Sequence, residues 1–289
     1  ILSLGRIEQW SADGTPLRLL GTHTDVDAIK AAEAALREAN ASLEARVAER
    51  TAELQALNQS LESFVYSVSH DLKAPLRGVE GYSRLLEEDY ATRLDDEGPL
   101  FITNIRSGVT RMGELIDDLL EYSRMERRSL SLGTLDPAEL VRQLLAARRD
   151  EFDTKGIHVH TAMPALEVIA DPNGLGMALR NLLENAVKFS RNAPEPRIDI
   201  GARSEDGMAV IWVRDNGIGF DMKYHDRIFE IFQRLHRVED YPGTGIGLAL
   251  VRKAMQRMNG RAWADSSPGA GATFYLALPL APTPTSPEA

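Results

Sequence analysis

The chain contains no cysteine. Disulfides, thiolate-held metals and cysteine nucleophiles are therefore excluded from its chemistry, and the composition fits a reducing compartment, with the cytoplasm as the expected location. It also lacks any run near the roughly 20 apolar residues that cross a bilayer, so no membrane segment is expected in it. Its first residues do not pair a basic region with an apolar stretch, as a secretory leader would. Positive charge is in deficit, with 33 Lys and Arg against 43 Asp and Glu, a net of -10. A nucleic-acid partner is disfavoured on that ground, because phosphate contacts need clustered cations. What is present is length: 289 residues exceed one typical core and predict two compact units joined by long helices. The sequence opens on Ile1 within a strand-like pattern and reads as a fragment of a longer protein.

Residues 1–24 give two short strand-like runs around the turn signal Ala12-Asp13-Gly14-Thr15-Pro16. From Val26 a heptad register can be followed. Val26, Glu33, Asn40, Val47, Leu54, Leu61 and Val68 fall at a; Ile29, Leu36, Leu43, Arg50, Leu57 and Phe64 fall at d. The residues between are almost all Ala, Glu, Arg, Gln or Asn, so the stripe seeks a second copy of the helix rather than a core of its own. Asn40 at an a position favours two strands in a fixed register. The helix is expected to continue through His70 to about Tyr90, with Pro75 removing one backbone donor and bending it. A polar turn over Thr92 to Gly98 precedes a second amphipathic helix to about Arg124, with its stripe at Phe101, Ile105, Val109, Met112, Ile116 and Leu119. One helical hairpin covers too little apolar surface; two hairpins from two chains make a four-helix bundle.

From about Ser129 the pattern changes. Strands are predicted at 129–135, 157–161, 166–170, 197–203, 208–214, 260–266 and 272–279, and helices at 137–149, 172–190 and 245–258. That alternation is an α/β sandwich, and the Pro-rich Ala281–Ala289 is read as a frayed tail.

Three stretches of this α/β part carry chemistry together. Asn181, Asn185 and Lys188 are spaced i, i+4, i+7, so a helix presents two amides and an ammonium on one face. Amide oxygens suit Mg²⁺ and the ammonium suits phosphate, although the spacing alone is equally that of a solvated face. Asp215 follows an apolar strand and precedes Asn216-Gly217-Ile218-Gly219, which is either an Asx turn or a carboxylate set to accept an adenine amine proton. Gly243-Thr244-Gly245-Ile246-Gly247-Leu248 opens a helix, whose free N–H groups favour phosphate. No Gly-Lys-Ser/Thr follows and no strand immediately precedes it, so it is neither a P-loop nor a Rossmann turn. The long segment 220–242, with Phe229, Phe232, Arg234 and Tyr241, suggests a mobile cover. His70, in Ser69-His70-Asp71-Leu72-Lys73, should point outward from the apolar contacts of Val65, Val68, Leu72 and Leu76. Imidazole is a competent nucleophile at neutral pH, and Asp71 can orient or deprotonate it.

Taken together, the chain resembles the transmitter region of sensor histidine kinases, over nearly all of residues 26–280. His70-Asp71-Leu72-Lys73-Ala74-Pro75-Leu76 is similar to the family's H box, Asn181–Phe189 to the N box, and Asp215–Phe220 to the first G box. Ile228-Phe229-Glu230-Ile231-Phe232 is similar to the F box, and Gly243–Leu248 to the second G box. Each is modest alone; five in family order are specific. The resemblance implies a coiled-coil helix leading to a dimeric four-helix bundle, followed by a Bergerat-type α/β sandwich that binds ATP. By the same analogy His70 is the phosphoacceptor and Asp71 its general base. Asn185 carries Mg²⁺, Asn181 and Lys188 lie near the phosphates, and Asp215 binds adenine. Gly217, Gly219, Gly243, Thr244, Gly245, Gly247 and Leu248 shape the lid and phosphate contacts. The partners implied are a second copy of the chain and the receiver domain of a separate response regulator.

Residues 1–30, especially Trp10 through Asp13-Gly14 to Gly21-Thr22 and Asp25, resemble the last strands of a PAS sensor domain and its exit into a signalling helix. The H box, with Tyr66 before it and Tyr82-Ser83-Arg84-Leu85-Leu86 after it, resembles that of phytochrome-like and related PAS-linked kinases. The expected organisation is then 1–25 sensor remnant, 26–58 signalling coiled coil, 59–127 dimerisation and phosphotransfer, 128–281 ATP binding, and 282–289 disordered tail. One position departs from the pattern. Many family members place Thr or Asn four residues after the phosphoacceptor to position a hydrolytic water, and here that residue is Ala74. Three other readings use the same features: a dimeric interaction module with a degenerate site, a gyrase-like or chaperone-like ATPase, and a kinase of Ser or Thr. The first does not account for the intact Asn185 and Asp215, and the second leaves His70 unexplained.

Overall fold

The computed structural model describes residues 2–127, 129–237 and 240–282. The chain divides into two compact units, 1–63 and 64–289.

In the first unit, β1 (Leu2–Trp10) and β2 (Pro16–Thr24) form an antiparallel hairpin. Its turn closes on local polar groups. Gly14 takes φ 82°, Ser11 N donates to the Thr15 carbonyl at 2.8 Å, and Thr15 N donates to Ser11 Oγ at 3.1 Å. Asp25 then accepts from Asp27 N at 3.0 Å and starts α1 (Asp27–Tyr90), 64 residues long. Within this unit the heptad residues Ile29, Leu36, Leu43, Val47, Leu54 and Leu57 all stand exposed on the helix, the surface that an unpaired coiled-coil strand presents.

In the second unit α1 stays helical through Pro75. After a 3₁₀ turn at Ala91–Arg93, Asp95 accepts from Gly98 N at 3.0 Å where α2 (Gly98–Arg127) begins. The stripe expected on α2 divides in two. Val109 and Ile116, with Ile102 and Leu120, are buried, whereas Phe101, Ile105 and Met112 stay exposed alongside Leu72, Val79 and Leu86 of α1. Ion pairs fix the register: Lys73 with Asp117, and Arg106 with both Glu80 and Glu87. The side chains of Leu61 and Val65 lie outside the described set.

The α/β part runs β3 (Gly133–Leu135), α3 (Pro137–Ala146), α4 (Arg149–Lys155), β4 (His158–Ala162), β5 (Val168–Ala170), α5 (Pro172–Ser190), β6 (Arg197–Glu205), β7 (Met208–Asp215), α6 (Gly247–Arg257), β8 (Arg261–Ser266) and β9 (Ala272–Pro279). A five-stranded sheet of order β4-β6-β7-β9-β8 is parallel only at β4–β6, and β3 pairs with β5 in a separate ribbon. Ile198, Ile200, Ile211 and Leu276 of the sheet share one core with Leu179, Leu182 and Leu183 of α5 and Leu250 and Met255 of α6. Each such side chain contributes roughly 2 kcal/mol by leaving water. Two helices begin on the same device: Asp136 and Asp171 accept from Ala138 N at 2.8 Å and Gly174 N at 2.7 Å, each followed by proline at the first helical position.

Two expectations need correction here. The helix predicted at 137–149 ends at Ala146, and a second short helix, α4, buries Phe152 and stops where Gly156 turns left-handed at φ 61°. The strand predicted at 129–135 shrinks to Gly133–Leu135, because Ser131 N is taken by the Asp171 carboxylate at 2.9 Å rather than by a ladder. Residues 283–289 of the expected tail lie outside the described residues. Among the described residues no helix is long and apolar enough to cross a membrane.

Candidate functional site

The middle of α5, the end of β7 and the start of α6 converge on a cavity of about 450 Å³. On α5 the apolar side, Leu182, Leu183, Ala186 and Val187, is buried in the core, which turns Asn181, Asn185 and Lys188 into the cavity. Asn181 Nδ2 donates to the Met177 carbonyl at 3.0 Å, and its Oδ1 faces the start of α6: a Cβ on Gly247 would lie 2.5 Å from that oxygen. Only glycine lets helix and amide approach so closely. The Asn185 amide has no partner among the described residues and stays available to a ligand. Lys188 Nζ sits 4.4 Å from the centre of the Phe189 ring and beside Gly243. Burial, reinforced by the nearby Arg234 charge, pulls its ammonium down to about 8.

Asp215 closes β7 at 3% exposure. Burial pushes its carboxyl up to about 6, against the hydrogen bond from Gly217 N at 2.9 Å, which favours the anion. A Cβ on Gly217 would come within 2.3 Å of the Phe189 carbonyl, so a side chain there would push this turn away from α5. Phe274 and Ile228 add an apolar floor, and the rings of Phe189, His236 and Tyr241 pack with centroids 5.2–5.9 Å apart along one wall. Arg234 donates to the Tyr241 carbonyl at 2.7 Å, tying that wall to the loop before α6.

The cavity therefore has a buried carboxylate beside apolar and aromatic surface, and two amides with an ammonium beside a helix N-terminus. Its size and chemistry suit a ligand with a planar, amine-bearing base and an anionic end. Of the residues singled out from the sequence, Asn181, Asn185, Lys188, Asp215, Gly219, Gly243, Thr244, Gly245, Gly247 and Leu248 all line it, and Gly217 stands behind, holding Asp215. His70 and Asp71 do not. They lie on α1, with side chains 75% and 76% exposed and His70 Nδ1 3.2 Å from Asp71 Oδ1. Phe229, expected in the cover, turns inward and meets Phe274 edge-on at 6.5 Å, while Phe232 is the exposed one. Sequence reasoning missed Glu114 and Asp118 of α2, which also line the cavity. Ile116-Asp117-Asp118-Leu119 gave no local sign of this, since it reads as an ordinary solvent face.

Residues 60–128 match the model of the His Kinase A (phospho-acceptor) domain. Residues 170–282 match that of the histidine kinase-, DNA gyrase B-, and HSP90-like ATPase. The chain belongs to the sensor histidine kinases. In this chain the phosphoacceptor-type domain supplies the α1–α2 hairpin and the ATPase-type domain the cavity. The chain is 39% identical over 252 residues to the phytochrome-like protein Cph1 of Synechocystis, covering 85% of this chain and 33% of that one. It is 30% identical over 233 residues to the sensor protein kinase WalK of Staphylococcus aureus, covering 78% and 38% respectively. Among solved structures it resembles full-length ShkA in complex with AMPPNP, at 30% identity and a TM-score of 0.58, over 76% of this chain and 46% of that chain. The chain thus spans about a third of the length of the curated relatives it matches.

Proposed function

We propose that this chain binds Mg-ATP in the cavity, phosphorylates His70, and passes the phosphoryl group to an aspartate of a response regulator, acting as a homodimer. The observation that carries the reading is one cavity joining Asp215 to Asn181, Asn185, Lys188 and the glycine stretch that opens α6. Asp215 accepts the adenine amine proton, and its apolar surroundings exclude water from that contact. Asn181, Lys188 and the N–H groups at the start of α6 take the phosphates. The unengaged amide oxygen of Asn185 fits a hard divalent cation, and Mg²⁺ bound there would neutralise charge on the phosphates.

The reaction falls to His70. Asp71 faces Nδ1, so it accepts that proton and leaves the Nε2 lone pair to attack. A bond forms between Nε2 and the γ-phosphorus, the bond to the bridging oxygen breaks, and ADP leaves; the Nδ1 proton passes to Asp71 or water. In the second half-reaction a receiver carboxylate attacks phosphorus, and the N–P bond breaks. The exposed apolar residues Phe101, Ile105, Met112, Leu72 and Val79 support dimerisation through a four-helix bundle, and the exposed heptads of α1 support its continuation as a signalling coiled coil. Residues 1–25 are proposed as the remnant of a PAS-like sensor, and the cytoplasm as the location.

The test is incubation of the purified chain with γ-labelled ATP and Mg²⁺. A phosphoramidate label is lost in acid and kept in alkali; label that survives acid would assign a hydroxyl acceptor and refute the reading.

The site also fixes a pH range. Asp215 accepts the adenine amine only as the anion, above about 6, and Lys188 is a full cation only below about 8. Affinity for Mg-ATP is expected to be highest between those values, to fall about tenfold by pH 5 as Asp215 protonates, and to fall again above pH 8 as Lys188 loses its charge. Calorimetric titration from pH 5 to 9 checks it; a flat profile would contradict both assignments.

Ala74 lies one helical turn beyond His70 and is exposed, but a methyl group offers water no hydrogen bond. The wild type is expected to leave a phosphorylated regulator nearly untouched, and Ala74→Thr or Ala74→Asn to accelerate its dephosphorylation severalfold. Rapid dephosphorylation by the wild type would refute this.

A further inference from the structure

Thr244 lies in the glycine stretch that opens α6, yet its hydroxyl donates to Asp118 Oδ2 of α2 at 2.5 Å. Asp118 is half-buried by this contact and lines the same cavity as Lys188, as does Glu114 one turn earlier on α2. Asp117, the adjacent residue, pairs with Lys73 of α1, three residues past His70. Neighbouring carboxylates of α2 therefore hold the acceptor helix on one side and the phosphate-side loop on the other. The seat has two further points. The Arg257 guanidinium of α6 donates to the Met125 carbonyl, and Lys253 Nζ lies 3.9 Å from the Tyr122 ring centre.

A carboxylate in this position conflicts with a triphosphate. It takes the hydroxyl of the loop that the phosphates need, and it brings negative charge into a partly desolvated space where like charges repel strongly. We propose that the Asp118–Thr244 hydrogen bond is a latch released by nucleotide: it holds α2 on the ATP-binding domain, and the incoming triphosphate displaces Asp118 and frees that domain from the hairpin. The proposal rests on the reading of the cavity as an ATP site. Coupling between two such equilibria is reciprocal, so whatever the latch contributes to docking is subtracted from nucleotide affinity. Opening the latch by mutation must tighten nucleotide binding.

Calorimetry of the full chain with Mg-AMPPNP tests this. Asp118→Ala is expected to bind about five- to tenfold more tightly than wild type, the scale of one net hydrogen bond. Asp118→Asn, which keeps an acceptor without the charge, should gain less. In a Thr244→Val background, where the hydrogen bond is already absent and only the repulsion remains, Asp118→Ala should gain clearly less than it does in the wild type. A second readout is structural. Spin labels on cysteines placed at the exposed Glu121 and Gln256 of this cysteine-free chain should move apart when Mg-AMPPNP is added to the wild type. Unchanged or weaker binding by Asp118→Ala, or an unchanged label distance, overturns the latch while leaving the ATP site intact. Failure of the wild type to bind Mg-AMPPNP at all overturns the ATP site and the latch with it.

Discussion

Asp215→Asn is expected to remove nucleotide binding while leaving the folded protein at least as stable as before. The carboxylate accepts from Gly217 N through Oδ1 at 2.9 Å and is also favoured as the anion by the Ala272 backbone, and each oxygen has two lone pairs, which leaves acceptor capacity for a ligand. An asparagine that kept the Gly217 bond would turn its NH₂ toward the adenine amine, setting donor against donor in a site shielded from water. A mismatch of this kind costs about 2–4 kcal/mol, a loss in affinity of roughly 30- to 1000-fold. Stability should move the other way. The folded-state carboxyl is raised from 3.8 to about 6 by burial, so the folded protein binds the proton more tightly than the unfolded chain does. The resulting penalty is absent below the unfolded value, grows as pH rises between the two, and is complete above about 6, at roughly 3 kcal/mol. Asparagine carries no charge and escapes it. Thermal melts without nucleotide at pH 7.5, beside calorimetry with Mg-ATP, check both halves. A variant that melts well below wild type would show Asp215 to be a structural residue rather than a ligand-binding one.

The parts of this molecule that follow a regular period were legible from sequence. The heptads of α1, the stripe of α2 and the apolar side of α5 each repeat over several turns, and the two Asp-Pro starts mark their helices directly. Asn181, Asn185 and Lys188 could be placed together because helical spacing alone puts them on one face. The glycine stretches were legible because close backbone approach, as at Gly217 and Gly247, admits little else. What could not be read depends on partners distant in the chain. Phe152 makes α4 a helix by burying itself in the core, but seven residues give too short a pattern to separate from α3. Phe229 seemed suited to a cover and instead meets Phe274, on a strand 45 residues away. Asp118 is separated from Thr244 by 126 residues, and nothing in its own surroundings distinguishes it from Asp117.

The second large effect concerns His70. Its ring is exposed and lies outside the cavity, so His70→Gln should leave the fold and nucleotide affinity unchanged while removing the nitrogen proposed to attack. The most direct measurement is therefore a comparison of wild type and His70→Gln, both shown by calorimetry to bind Mg-ATP equally, each incubated with γ-labelled ATP and Mg²⁺. The account predicts acid-labile label on the wild type and a loss of at least 100-fold in the variant, on the order of 3 kcal/mol or more in the barrier. Label of equal amount on His70→Gln would place the phosphoryl group elsewhere and contradict the account.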